Sequence, residues 1–407
     1  MEHKGVGFLR NRLIQKRVRV QLRYNYYEMK NGVQYMNTII PPQFAWMAQV
    51  LGWCGKAVDS LADRLSFREF REDDFDLNTI FAMNNGDILP DSAVLSALIS
   101  ACSFVYISTD KTGYPRLQII DGGNATGIAD PITGMLKEGY AVIERDEHNK
   151  PELEAWFLPG RTEYYRDGKL IRTDLNNAPY PLLVPVIYRP DAMRPFGHSR
   201  ISRACMSIMQ GALRTLLRSE VSAEFYSFPQ KYITGLSQDA EKLEKWQATI
   251  SSFLSFSKDE DGDKPTLGQF TQQSMSPYTE QLRTFAALFA GETGLTLDDL
   301  GFVTDNPSSA EAIKASHENL RLAARKAQKT FGSCLLNAGY LAACVRDNYP
   351  YRREQLYRTK AVWEPVFEPD AAMISSIGDG IGKINQAVPG YFGRTNLRDM
   401  TGVDPES

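Results

Sequence analysis

Apolar residues recur every three or four positions in several long stretches of the chain, the spacing that places them on one side of an α-helix. Residues 41–66 begin with a proline pair, where helices tend to begin, and their pattern predicts an amphipathic helix. Residues 77–101 contain a second candidate helix, entered through 90–92. A further helix is predicted over 277–291.

The stretch from His198 to Ser227 contains no proline, and a long helix should end just before Pro229. Five residues on one side of it are suited to packing: Ile201, Cys205, Ile208, Ala212 and Leu216. Five polar or cationic residues lie roughly half a turn away: Arg203, Ser207, Gln210, Arg214 and Arg218. A solvated surface explains this cationic face about as well as contact with DNA does.

The longest helical pattern covers residues 309–346, and Ser309 is a suitable N-cap for it. Apolar residues between Ala312 and Val345 fall on one face of this helix. Four cationic residues gather on another face: Lys314, Arg321, Arg325 and Lys329. A helix of this length must bury its apolar face against other elements of the fold.

Shorter patterns between these helices predict strands. Residues 103–108 form one candidate strand, and the region from Tyr114 to about Pro190 reads as a set of hairpins separated by turn pairs. Residues 230–274 resemble a small separate module, with strands near 232–234 and 266–270 on either side of a helix around 239–253. The predicted fold class is therefore α+β.

Length and composition exclude several classes of protein. The 407 residues are 43% hydrophobic and 23% charged, which suffices for a large core and two or three domains. The longest apolar runs fall far short of the ~20 residues that cross a bilayer, and the N-terminus is too basic for a signal peptide, so we expect a cytoplasmic product without membrane contact. The five cysteines and four histidines are scattered, which argues against disulfides and metal sites.

The charge of the chain is slightly negative and unevenly distributed. A net charge of −3 indicates that any contact with nucleic acid is weak or local. Residues 1–30 nevertheless hold eight Lys or Arg against two Glu, interleaved with tyrosines. This pattern favours a segment that lies across a neighbouring surface over one that binds nucleic acid.

No catalytic or cofactor motif survives inspection. Residues 122–127 (GGNATG) lie among hairpins with no helix directly behind them, and 378–383 (GDGIGK) lack the first glycine and the Ser or Thr of a nucleotide-binding loop. The acidic loop 259–263 lacks the glycine and glutamate of a calcium loop. Ser199 is expected to cap a helix rather than act with His198. We therefore expect no enzymatic activity, no cofactor and no metal.

The order and spacing of four segments carry a resemblance to a known family. They are GWCGKAVDSLADRLSF (52–67), IFAMNNGD (80–87), PFGHSRISRACMSIMQGALRTLLRSEVSAEFYSFPQKYITG (195–235) and NPSSAEAIKASHENL (306–320). Together with two long helices that bracket a small module, they resemble the portal proteins of tailed bacteriophages, in particular those with a Gp6-type fold. The resemblance covers most of the chain.

This resemblance implies a division of the chain into the parts of a portal subunit. The implied parts are a wing (1–197), two stem helices (198–228 and 275–294), a small α/β clip (229–274), a tunnel loop (295–308), a long wing helix (309–346) and a helical C-terminal crown (347–407). It also implies a ring, usually dodecameric, at one capsid vertex of the virion, which is assembled in the host cytoplasm and through which double-stranded DNA is packaged and ejected. The implied partners are the terminase, the head–tail connector, and the major capsid and scaffolding proteins.

Candidate site residues follow from this assignment. We expect Arg203, Arg214 or Arg218 to face the lumen or a subunit contact, and the loop around Asp298, Asp299 and Asp305 to lie closest to the DNA. Subunit contacts are expected at Lys314, Arg321 and Arg325, and docking of the terminase or connector at Lys258, Asp259, Asp261 and Lys264. The alternatives are another structural capsid or connector protein and, with less support, a nucleic-acid-processing enzyme.

Overall fold

The computed structural model describes residues 3–33, 46–47, 49–227, 231–234, 266–269, 274–302, 315–367, 369 and 371–403. The chain forms two compact units. The first comprises residues 1–31, 52–206 and 290–407, and the second comprises 32–51 and 207–289.

The described helices run from the first residues almost to the end of the chain. Their bounds are α1 Val6–Tyr27, α2 Trp53–Ala62, α3 Leu77–Ala82, α4 Ile88–Ser100, α5 Arg203–Ser227, α6 Ser276–Thr293, α7 Glu318–Arg346, α8 Ala371–Ala387 and α9 Arg394–Thr401. Two short 3₁₀ helices occur at Asp298–Leu300 and Arg353–Leu356. Strands occupy most of the chain between α4 and α5, so the fold class is α+β, as predicted.

Twelve strands are described, all in antiparallel pairs. They are β1 Phe67–Arg71, β2 Cys102–Thr109, β3 Pro115–Ile120, β4 Ala125–Ala129, β5 Leu136–Arg145, β6 Pro151–Leu158, β7 Arg161–Arg166, β8 Lys169–Leu175, β9 Leu183–Ile187, β10 Lys231–Thr234, β11 Thr266–Gln269 and β12 Lys360–Trp363. In the first unit they form a three-stranded sheet (β3-β2-β9), a five-stranded meander (β4 to β8) and the pair β1-β12.

The core of the first unit is built around α7 and the central strand β2. Val105 on β2 lies opposite Ile119 on β3 and Val184 on β9, and all but the last residues of β2 are buried. Helix α4 packs on β2, and α7 packs on β9 and α3. The apolar face of α7, which includes Phe331 and Leu335, is fully buried. The face predicted for this helix is therefore confirmed.

The second unit contains most of α5 and α6 together with the β10–β11 pair. Thr215 Oγ1 on α5 donates to Gln281 Oε1 on α6 at 3.0 Å, and the hydroxyls of Ser222 and Tyr278 lie 2.9 Å apart. Gly211 allows the closest approach, because a Cβ at this position would lie 2.7 Å from the ring of Phe285. A glycine at a helix crossing lets the two backbones come close together.

The structure shifts the start of one predicted helix and adds a second helix to another region. Helix α2 begins at Trp53, with residues 49–52 outside the helix, because Gly52 is a poor helix former at its start. The candidate within 77–101, entered through 90–92, is α4; the separate helix α3 precedes it, and Asn85, whose φ of 56° no α-helix accommodates, lies between them. The helix predicted over 309–346 is helical at residues 315–316 and, after a turn at His317, from Glu318 to its predicted end at Arg346, while Ser309 lies outside the described residues.

The start and the buried face of α5 also differ from prediction. The helix begins at Arg203, five residues after His198, and Ser202 rather than Ser199 caps it, accepting from the Cys205 N–H at 3.1 Å. Ser199 Oγ instead donates to the Ile99 carbonyl at the end of α4. The fully buried face consists of Cys205, Met209, Ala212, Leu213 and Leu217, whereas Ile208 and Leu216 are half-buried.

The strand predictions are confirmed. Strand β2 covers 103–108, β3 to β9 form the hairpin region, and β10 and β11 lie at the two positions predicted for the small module. The helix predicted at 239–253 and the acidic loop 259–263 lie outside the described residues. All five cysteines are buried and free.

Candidate functional site

Helix α1 is held on the five-stranded sheet by apolar residues one helical turn apart. Leu9 and Leu13 are buried against Tyr140 and Val142 of β5. The buried carboxylate of Glu138 accepts hydrogen bonds from the backbone N–H groups of Lys4 at 2.8 Å and Gly5 at 3.3 Å. A carboxylate at this position complements the partial positive charge at the start of the helix.

A second buried carboxylate holds the first turns of α1 to β6. Arg10 donates from Nε at 3.0 Å and from Nη2 at 2.6 Å to the two oxygens of Glu154, which is 5% exposed. The hydroxyl of Tyr140 donates to the same carboxylate. The hydrogen bonds that Arg10 donates to Glu154 raise the pKa of Arg10 above its ordinary value, so the guanidinium remains charged. We call Arg10, Tyr140 and Glu154 the α1 clamp.

A second face of α1 is cationic. Four cations are spaced i, i+4, i+7 and i+11, which aligns them along one side of the helix: Arg12, Lys16, Arg19 and Arg23. They form one wall of a cleft of about 950 Å³ in the first unit, which we call the basic cleft. Three further basic residues line it from the segment before α5 and from its first residue: Arg194, His198 and Arg203. No Asp or Glu is among the described residues that line it.

The floor of the basic cleft combines aromatic rings and backbone carbonyls. Lys16 Nζ donates to the Ala125 carbonyl at 3.1 Å and lies 4.9 Å from the centre of the Phe104 ring. Arg12 lies over the ring of Phe196 at 5.6 Å. These contacts hold the charged ends of Lys16 and Arg12 in place but supply no negatively charged partner.

The positive charge of the cleft shifts the pKa values of residues in it and beside it. Burial lowers the pKa of Arg23, and repulsion from Arg19 and Arg194 lowers it further. Asp191 lies beside the cleft and not in it, and a hydrogen bond with His198, N to O 2.5 Å, lowers its pKa. The arrangement therefore favours an anion in the cleft.

Gly197 determines the backbone path of the segment that forms the cleft wall opposite α1. Its φ of 73° lies in the left-handed region, and a Cβ there would stand 2.1 Å from the Tyr188 carbonyl oxygen. That carbonyl accepts the N–H of His198 at 2.9 Å, which returns the chain toward α4. Only glycine fits this backbone path without strain.

The three arginines predicted to face a lumen or a subunit contact lie along α5. Arg203 lines the basic cleft and is exposed, Arg214 is half-buried, and Arg218 is exposed. Spacings of eleven and fifteen residues from Arg203 place all three on one side of an α-helix. This spacing is the basis of the predicted cationic face; Gln210, assigned to the same face, is buried.

The predicted tunnel loop is described as far as residue 302. Asp299 Oδ2 accepts from the backbone N–H and the hydroxyl of Thr296, both at 2.9 Å, and the Asp299 N–H donates back to Thr296 Oγ1 at 3.2 Å. Asp298 is exposed. Asp305 lies outside the described residues.

Of the predicted subunit and docking contact residues, the structure describes two. Arg321 is half-buried and binds both oxygens of Glu318, one turn before it on α7, at 2.6 Å. Arg325 is exposed. Five predicted contact residues lie outside the described part of the chain: Lys258, Asp259, Asp261, Lys264 and Lys314.

The glycine-rich stretches are not nucleotide-binding loops in this fold. Residues 378–383 lie inside α8, and 122–127 form the turn between β3 and β4 and the start of β4. Among the residues that the structure describes, no group of three His, Cys, Asp or Glu is placed to hold a metal ion. Within the same part of the chain, no helix is both long and apolar enough to span a membrane.

Sequence prediction noted the basic N-terminal segment but missed α1 and the cleft beside it. The spacing of Arg12, Lys16, Arg19 and Arg23 was the available signal, because it aligns four cations only if the segment is helical. The other wall could not be found from sequence, since Arg194 reaches α1 only through the tertiary fold.

Comparison with known proteins gives matches that extend over nearly the whole chain, although no family model matches it. The chain is 24% identical over 373 residues to the portal protein of Mycobacterium phage L5, a match that covers 86% of this chain and 75% of that protein. It is 24% identical over 401 residues to the portal protein of Mycobacterium phage D29, covering 93% and 81%.

Solved structures with a similar backbone come from gene transfer agent particles. A chain of the virion of a native particle has a TM-score of 0.48 and 11% identity, covering 96% of this chain and 99% of that one. A chain of the neck of a native particle, computed with C12 symmetry, has a TM-score of 0.46 and 14% identity, covering 87% and 90%. The chain is therefore similar to two phage portal proteins over most of their length and most of its own.

Proposed function

We propose that this chain is a portal protein: a structural subunit of a closed ring at one vertex of the capsid, through which double-stranded DNA is packaged and later ejected. The observation that carries the proposal is the similarity to two phage portal proteins over 86% and 93% of the chain. The α+β fold, with the long helices α5 and α6 on either side of a small strand pair, supports it. The protein acts in the virion and not as an enzyme.

The proposal is tested by the mass and shape of the purified protein. One chain of 45.8 kDa cannot surround a hole wide enough for duplex DNA, so we expect a particle several times heavier, about twelve copies by resemblance to the family. Native mass spectrometry gives the subunit number, and negative-stain images show the central hole. A monomer or dimer under all assembly conditions would overturn the proposal.

The parts of the ring are assigned as the family resemblance implies. The wing covers 1–197, the stem helices 198–228 and 275–294, the clip 229–274, the tunnel loop 295–308, the long wing helix 309–346 and the crown 347–407. The terminase and then the head–tail connector dock on the clip, at Lys258, Asp259, Asp261 and Lys264. The major capsid and scaffolding proteins contact the ring from outside. The antiparallel β10–β11 pair, which joins the two ends of the clip, supports its assignment as one module.

The charged residues of the stem and loop have separate roles in this proposal. The α5 stripe of Arg203, Arg214 and Arg218 faces the lumen or a neighbouring subunit, and the exposed position of Arg218 supports this role. The loop with Asp298, Asp299 and Asp305 lies nearest the DNA, where negative charge reduces adhesion to phosphates. Lys314, Arg321 and Arg325 contact neighbouring subunits.

A deletion separates the loop's role from that of the ring. Removing residues 296–304 should leave the ring intact in negative-stain images, because the apolar face of α7 lies outside the deleted segment. DNA packaging in an assembly assay should fall. Unimpaired packaging with intact rings would refute the assignment of the tunnel loop and leave the portal proposal standing.

A further inference from the structure

Helix α1 exposes an apolar stripe directly beside the basic cleft. Ile14, Val18 and Leu22 follow each other at four-residue intervals and are 60%, 72% and 40% exposed, and Leu22 also lines the cleft. The opposite side of the helix, with Leu9 and Leu13, already provides its packing on the sheet. The stripe is therefore not needed for the fold, and a contiguous apolar stripe on a helix surface marks an interaction site.

The cations beside this stripe lack the partners that cations elsewhere in the first unit have. Arg10, Arg71 and Arg321 each bind a carboxylate through two hydrogen bonds. Among the described residues, Arg19 and Arg203 have no carboxylate partner. A cleft lined by six Lys or Arg side chains and no acid therefore lacks its counter-charge within its own unit.

The shape of the cleft favours a protein segment over duplex DNA as the source of that charge. A cleft of about 950 Å³ admits a short loop or helix end, whereas a duplex, whose major groove alone is about 12 Å wide, is too large to enter it. An apolar stripe adds nothing to phosphate binding. Carboxylates with one or two apolar side chains would satisfy both features together, with Arg binding the carboxylates.

The first unit presents such a segment at the turn between α3 and α4, which we call the acidic turn. Asp87 and Asp91 are exposed. Met83, which precedes them, is 57% exposed, and Ile88, which lies between them, is 69% exposed. Neither aspartate has a cationic partner among the described residues. Partial burial raises the pKa of Asp91, and repulsion from Asp87 raises it further. The acidic turn thus has the negative charge and the apolar side chains that the basic cleft lacks.

The two surfaces lie at opposite ends of one helix. Helix α4 begins at Ile88 in the acidic turn and ends at Ser100, which lines the basic cleft. Thirteen helical residues span about 20 Å. The acidic turn of a molecule therefore cannot fill its own cleft, but it can fill that of another copy. Complementary surfaces at two ends of a subunit give a head-to-tail contact, which closes into a ring when the rotation between copies permits.

The charge of the whole chain agrees with a second copy as the occupant. With 46 Lys and Arg against 49 Asp and Glu, the net charge is −3, and without the six cleft cations it is 40 − 49, or −9. We infer that the basic cleft and the adjoining stripe of Ile14, Val18 and Leu22 receive the acidic turn of the neighbouring copy. The inference rests on the proposed ring and identifies one of its subunit contacts.

A charge exchange across the contact tests the inference. Four substitutions to Glu reverse the charge of the cleft, because four acids then outnumber the two remaining cations, Lys16 and Arg23: Arg12→Glu, Arg19→Glu, Arg194→Glu and Arg203→Glu. Asp87→Lys with Asp91→Lys reverses the charge of the turn. Each of these two variants should raise the protein concentration needed for half-maximal ring assembly about tenfold or more, measured by mass photometry. All six substitutions together should restore assembly, because the charges of the cleft and the turn again oppose each other. The matched control is Lys111→Glu with Lys169→Glu, two exposed cations outside the cleft, which should leave assembly unchanged.

The possible results separate this inference from the proposed function. Rings that persist in both charge-reversed variants would overturn the contact and leave the portal proposal standing, whereas an unmodified protein that forms no ring would overturn both. Loss of assembly in each of these variants without recovery in the combined sixfold variant would also overturn the contact, because the two surfaces would not then meet. If the cleft variant still forms rings but no longer retains duplex DNA in a filter-binding assay, the occupant of the cleft is DNA phosphate and not the acidic turn.

Discussion

The α1 clamp makes a quantitative prediction about how the N-terminal helix is held. Substituting Arg10→Leu leaves the carboxylate of Glu154 with the hydroxyl of Tyr140 as its remaining donor in the clamp. The Glu154 side chain is only 6% exposed, so water cannot easily replace the lost guanidinium. The substitution therefore leaves a buried charge poorly compensated, although the geometry of the helix is unchanged.

The expected cost follows from the exposure of the two side chains. Removing one partner of a buried ion pair costs about 3–5 kcal/mol. The Arg10 side chain is 39% exposed, so water already screens part of this pair and the cost is smaller than for a fully buried one. We therefore expect the free energy of opening α1 to fall by about 2–3 kcal/mol. Such a loss raises the hydrogen-exchange rate of α1 amides about 30- to 150-fold, since about 1.4 kcal/mol corresponds to a factor of ten. The double variant Arg10→Leu, Glu154→Leu should recover most of this loss, because an apolar pair can replace a buried ion pair.

Hydrogen exchange followed by mass spectrometry resolves α1 from the rest of the chain. Arg358→Leu is the matched control, because it removes an arginine whose partner, Glu72, is also exposed. Such surface pairs contribute about 0–1 kcal/mol, and α1 should be unaffected. The reasoning would be refuted if the double variant exchanged as fast as Arg10→Leu, because the cost would then come from lost packing and not from the buried carboxylate.

Two further predictions concern the first unit. Gly197→Ala forces a Cβ to 2.1 Å from a backbone carbonyl at a φ of 73° and should cost about 3 kcal/mol or more, seen as a lower melting temperature, whereas Gly378→Ala, in a helix with no atom within 4 Å of the added Cβ, should raise it slightly. A hydrogen bond from Arg71 lowers the pKa of Asp399 below its ordinary value of 3.8 in the folded protein. The stability that Asp399 contributes is therefore complete above about pH 5 and is lost as the pH falls through the pKa of the folded state. The difference in melting temperature between the parent and Asp399→Asn should shrink below about pH 4.

Sequence patterns predicted the elements whose apolar face is simple and whose partners are near in the chain. The buried face of α7 follows one stripe from Leu320 to Leu341, and the hairpins from β3 to β8 pair with their immediate neighbours. In both cases the local pattern and the tertiary environment agree. These elements could be read without knowing the rest of the fold.

Helix α1 was missed because its apolar residues lie on two faces. Leu9 and Leu13 face the sheet, whereas Ile14 and Val18 face outward, so the segment shows no single stripe and is dominated by its cations. The same feature that hid the helix from sequence analysis identifies its second face as a surface for binding. Strand β1 was missed for another reason: its partner β12 lies almost three hundred residues away, and no local pattern indicates so distant a pairing.

The proposed ring requires adhesion between its subunits and little adhesion to the DNA that passes through it. Cations spread over a channel wall would meet neither requirement, because they would hold phosphates and could not bind a protein neighbour specifically. The first unit instead gathers six cations in one concave cleft, against apolar side chains that a duplex does not need. Their charge is directed at a surface that a loop can enter and a duplex cannot. A chain with a net charge of −3 can therefore be strongly basic at one subunit contact while the remainder, with a net charge of −9, repels the DNA that the proposed ring would conduct.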